Sequence, residues 1–120
     1  MKNIVTLMFL LFCLTSCADN SEQKALLTGK WQGTEWLIGQ KNSGQDASKV
    51  SFQFNADDTY SATFGNQKNT GTYRISGMKL YTKEEGKAEI VVNMTQLTAD
   101  SLSFDMNRGG QAETLRFVRN

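Results

Sequence analysis

Glu35 and Glu113 are the two side chains whose type and spacing offer the most chemistry in this 120-residue chain. Alternate positions from Trp31 bring Gly33, Glu35 and Leu37 to one face of an extended segment. Alternate positions back from Phe117 bring Leu115 and Glu113 to one face of another. If both faces line a shared interior, two carboxylates in a restricted space either share a proton or hold a cation. The competing expectation is a β-bulge within residues 31–38 that turns Glu35 outward, because Trp36 and Ile38 also call for burial. Other site chemistry is scarce. The chain has no His, so the commonest general base and metal ligand are missing. Ser and Thr are plentiful, but the bases beside them are only carboxylates and Lys, and no enzyme, cofactor or metal site is expected. Asn55, Asp57 and Asp58 read as hairpin-turn residues, not as a calcium loop. Lys+Arg 13 against Asp+Glu 12 gives a formal charge of +1, with no electrostatic case for nucleic acid.

Cys17 is the other reactive position. Twelve of the first 17 residues are apolar. Residues 4–14 form a nearly unbroken apolar run after Lys2, about 16 Å of helix and roughly half the ~30 Å hydrocarbon core. That length suits a secretory leader and is too short to span. Leu14-Thr15-Ser16-Cys17 resembles the bacterial lipobox. The resemblance implies cleavage before Cys17, lipidation of its sulfur and of the new amine, and a chain anchored in the cell envelope. Ala18 after the Cys resembles the pattern for sorting to the outer membrane. Residues 1–16 are then a signal peptide, 17–28 a lipidated N-terminal tether, and 29–120 the folded domain. Cys13 leaves with the leader, so no disulfide is expected. Without Lys2 the mature chain has no formal net charge, and anchoring rests on lipid alone.

The elements that must position these groups are strands. From Gly29 onward apolar residues recur with period two. The rows are Val50-Phe52-Phe54, Tyr60-Ala62-Phe64, Tyr73-Ile75, Ala88-Ile90-Val92-Met94, Leu102-Phe104-Met106 and Leu115-Phe117. With residues 29–38 and 78–82 they make eight short strands, separated by Gly, Asn and Asp turns. No connection is long enough for a parallel crossover. One apolar face per strand predicts an all-β, eight-stranded antiparallel up-and-down barrel, with a helical turn at most at residues 25–28.

Gly29-Lys30-Trp31 opening the first strand and an Arg closing the last resemble the calycin pattern, and more narrowly small bacterial lipocalin-like lipoproteins. The segments 54–60 and 115–119 add to the likeness, which covers residues 29–119. The resemblance implies that Trp31 plugs one barrel end with an Arg packed across it. Parity selects Arg119 for that role, since Arg116 faces outward if Phe117 faces in. The connections also sort by length. Short turns fall at the Trp31 end, and the longest loop, residues 39–47, falls at the other.

The resemblance therefore implies a small hydrophobic ligand in the mouth at the longer-looped end. Glu35, Leu37, Val50, Phe64, Tyr73, Met106 and Glu113 are expected to line that mouth. Phe52, Val92 and Phe104 would lie deeper. The alternative is a filled barrel acting as a protein-interaction or inhibitor module through its loops and an outer face bearing Trp36 and Tyr81.

Overall fold

The computed structural model describes residues 20–120, with the backbone alone at Arg108. A short helix, α1 (Ser21–Leu27), precedes β1 (Gly29–Ile38) and the two-residue β2 (Lys41–Asn42). A 3-10 turn (Ala47–Lys49) leads into β3 (Val50–Phe54), β4 (Thr59–Phe64), β5 (Gln67–Ser76) and β6 (Lys79–Glu84). The chain ends with β7 (Ile90–Leu97), β8 (Ser101–Arg108) and β9 (Gln111–Arg119). Neighbours pair antiparallel in the order β1-β3-β4-β5-β6-β7-β8-β9, and β9 returns to β1. The result is a closed eight-stranded antiparallel barrel, with β2 as a short extra ribbon on β1.

Period-two patterning explains the wall. Val50, Phe54, Tyr60, Ala62, Tyr73, Leu80, Val92, Met94, Leu102, Phe104, Leu115 and Phe117 are all buried on the inner face. Phe52 stands at the centre, with the rings of Phe117, Phe104, Phe54 and Phe64 at 5.4, 5.5, 5.6 and 5.9 Å. Such edge-on and offset contacts are worth about 0.5–1.5 kcal/mol per pair beyond burial. The β3–β4 turn is set by Asp57, whose carboxylate accepts from Thr59 N–H and hydroxyl while Asp58 takes φ 72°. Asp tolerates that left-handed conformation better than most residues.

Two elements exceed the sequence expectation. β5 starts at Gln67, because Gln67-Lys68-Asn69-Thr70-Gly71 pairs with β4 although it carries no apolar residue on its inner face. The helix covers residues 21–27 and not just a turn at 25–28. Seven residues are too few for a stable isolated helix. It holds because Leu27 is completely buried and Lys24 bonds Asp58 of the β3–β4 turn. Gly77 N–H adds a bond by donating to Asn20 Oδ1 at 3.0 Å. Part of the expected tether is thus docked on the barrel.

Candidate functional site

The end capped by α1 is closed by Trp31, which is 0% exposed. Its indole N–H donates to Leu27 O at 2.8 Å. The Arg119 guanidinium lies 4.0 Å from the Trp31 ring centroid and donates to Ala99 O, Leu26 O and Thr28 O. Trp31 and Arg119 are direct partners in the β1–β9 register. The cation is therefore held over the ring by three carbonyls, and this end is built for closure.

The middle of β1 departs from simple alternation. Gly33 pairs with Phe117, but Glu35 pairs with Arg116, so a bulge falls at Thr34. Its cause is local. A Cβ on Gly33 would meet Ala47 O at 2.3 Å and Val50 O at 2.9 Å, so the chain crosses close to the 3-10 turn where only glycine fits. Beyond the bulge every side chain exchanges faces. Glu35 points outward, half exposed, onto Arg116 at 2.8 Å. Leu37 moves to the outer wall, beside Thr95, Ser103 and Thr114. Trp36 enters the interior, edge-on to Phe64 at 6.2 Å, and donates its indole N–H to Glu113 Oε1 at 3.0 Å. The expected Glu35–Glu113 pair does not form. Glu113 alone is inside, only 5% exposed.

Tyr73 is also displaced from its expected position. The longer β5 lowers it toward the closed end, where its hydroxyl donates to Asn55 O at 2.8 Å and its ring meets Phe54 at 5.1 Å. Burial pushes its phenol above the ordinary range. Val50 is inward and buried, beneath Trp36 and Phe64 at the flank of the mouth.

An interior cavity of about 190 Å³ opens toward the end away from Trp31. Phe52, Phe64, Val92, Phe104 and Met106 line it as the parity predicts, together with Ala62, Leu80 and Ile90. Its polar lining comes from Tyr60, Asn69, Thr82 and Glu84. Burial, and after it the Glu84 carboxylate, push the Tyr60 phenol upward, while the Thr82 hydroxyl draws it back. Tyr60 therefore stays a protonated donor at neutral pH. An apolar cavity of ~150 Å³ engineered into another protein accommodates benzene, so this space suits one ring or a short acyl segment.

The model of the lipocalin-like domain matches residues 27–104. The chain belongs to that family. No curated protein matches it. A lipocalin-like protein from Bacteroides uniformis ATCC 8492 has the same fold, with TM-score 0.57 and 16% identity over 76% of this chain and 97% of its own. An uncharacterized protein from Bacteroides eggerthii DSM 20697 gives 0.60 and 14%, over 78% and 99%. A DUF4847 family protein from Bacteroides vulgatus ATCC 8482 gives 0.57 and 12%, over 82% and 96%.

In this lipocalin-like barrel, Asn69, Glu84 and Trp36 are interior groups outside the set expected to line the mouth. Asn69 lies opposite Ala62 in the register, a position visible only once β5 is extended. Glu84 is two residues beyond inward Thr82, so alternation pointed to it, but its Glu-Glu-Gly context reads as a hairpin tip. Of the outer aromatics, Trp36 is inside and Tyr81 lies under Arg74, whose guanidinium carbon is 3.8 Å from its ring centroid. Cys17 and the expected leader lie outside the described residues. Among the described residues, no helix is long and apolar enough to cross a membrane.

Proposed function

We propose that this lipocalin-like protein is an exported, lipid-anchored binding protein of the bacterial outer membrane that holds a small hydrophobic ligand in its barrel mouth, without catalysis. The observation that carries the reading is the apolar cavity lined by Phe64, Phe104 and Met106. Its small volume and the aromatic cluster around Phe52 favour a compact ligand over a long acyl chain.

Anchoring rests on the Leu14-Thr15-Ser16-Cys17 sequence. Cys17 precedes Asn20 by three positions, and Asn20 is bonded to the closed end through Gly77. At ~3.5 Å per residue the lipid would lie within roughly 10 Å of that end. In this reading the mouth opens away from the anchoring membrane.

Native mass spectrometry of the protein purified from its own host tests binding. A co-purifying organic mass of a few hundred daltons or less is the expected result, and a stoichiometric protein partner with an empty barrel would favour an interaction module. Membrane fractionation tests the anchor, since Cys17→Ser should release the protein to the soluble fraction.

A further inference from the structure

The cavity has two unlike walls. Phe52, Phe64, Phe104 and Met106 present hydrocarbon, whereas the polar groups gather on three adjacent strands. Tyr60 of β4 lies opposite Gly71 of β5, which lies opposite Glu84 of β6. Asn69 is two residues from Gly71 toward the mouth, and Thr82 is two residues from Glu84 toward the floor. Among the described lining residues, Glu84 is the charged one.

We propose that the cavity selects small amphiphiles carrying a primary ammonium, a ring or short chain with one amine, over carboxylates of the same size. The inference rests on the reading of the cavity as a ligand site and names its occupant.

An ammonium has three donors and no acceptor. The Glu84 carboxylate can accept one, and either the Asn69 carbonyl on the mouth side or the Thr82 hydroxyl on the floor side can accept another, while the hydrocarbon part lies against the phenylalanines. A carboxylate ligand is acceptor-only and would bring a second negative charge next to Glu84 in a partly desolvated space, which costs free energy for both groups. Lys87 pairs with Glu84 Oε2 at 3.1 Å from the rim, with its own side chain 63% exposed. Exposed pairs of this kind are weak, so an incoming ammonium can replace it. Lys87 is thus a competitor for the site and not part of it.

Calorimetric titration of the purified protein in detergent-free buffer with phenethylamine, phenethyl alcohol and phenylacetate tests the proposal. These probes share one ring and chain and differ in the head group. The amine should bind roughly threefold to tenfold more tightly than the alcohol, and phenylacetate more weakly than either. Glu84→Gln should bring the amine-to-alcohol ratio close to one, and Lys87→Ala should raise it. Any other order of affinities, or a ratio unmoved by Glu84→Gln, overturns amine selection while alcohol binding leaves the ligand-site reading intact. Failure of all three probes to bind overturns both.

Discussion

Trp36 donates its indole N–H to Glu113 across the β1–β9 seam, at 3.0 Å. The bond exists only because the bulge after Gly33 exchanges the faces of Glu35 and Trp36. A carboxylate inside the barrel is thereby matched with an indole instead of a second carboxylate. These two adjacent residues should respond very differently to mutation. Trp36→Phe keeps the ring burial but removes the donor to a buried acceptor, and should cost about 1–3 kcal/mol. Glu35→Ala breaks only a half-exposed ion pair and should cost less than about 1 kcal/mol. Urea denaturation of both variants checks this, and equal losses would contradict the bulge.

The bulge has its own prediction. Gly33→Ala forces a methyl group into the carbonyls of Ala47 and Val50, which are backbone atoms and cannot swing away. A loss of about 2–3 kcal/mol is expected, on the scale of overpacking in a tight core. Denaturation midpoints at constant m-value give the measurement.

At the closed end, Arg119→Ala removes the cation over Trp31 and leaves the carbonyls of Leu26, Thr28 and Ala99 without this donor. The expected loss is about 2–4 kcal/mol. Arg119→Lys should recover less than half, since a single ammonium cannot bridge the three carbonyls while covering the ring. Thermal melts of the three proteins decide it.

The β3–β4 turn and the helix α1 docked on it should depend on pH at opposite extremes. Bonds from the Thr59 hydroxyl, then from its N–H, hold the Asp57 carboxyl below its ordinary range. Its contribution is full above the unfolded value near 3.8 and is lost as pH falls through the lower folded value. The bond to Asp58 raises Lys24 above 10.5, so its contribution is full below that value and is lost as pH rises through the folded one. The stability difference between wild type and Asp57→Ala should therefore shrink below about pH 4. That between wild type and Lys24→Met should shrink above about pH 10.5. Urea midpoints across pH measure both.

Much of the barrel was legible from alternation, because each strand buries one face and Phe52, Phe104 and Phe117 mark it. The closed end was equally legible, since parity alone separated Arg119 from Arg116. The start of β5 was not, because Gln67 and Asn69 face inward near a wet mouth where polar residues suffice. The face of Glu35 was left between two expectations, and the bulge that Trp36 and Ile38 called for is the one that holds; its place is set by a backbone approach between Gly33 and Ala47 that no periodicity records. Glu84 lay on the right parity, yet a charged hairpin tip and a rim residue look alike in sequence. Alternation reports burial well and function poorly wherever the mouth meets solvent.

Amide NMR during titration with benzene reads out whether the apolar cavity is accessible and holds a ligand. Saturable shifts are expected to cluster at Ala62, Leu80, Val92 and Phe104, the residues around the cavity, and to be lost in Ala62→Phe, which fills it. Absence of saturable shifts, or shifts on the outer wall that persist in Ala62→Phe, would contradict ligand binding there.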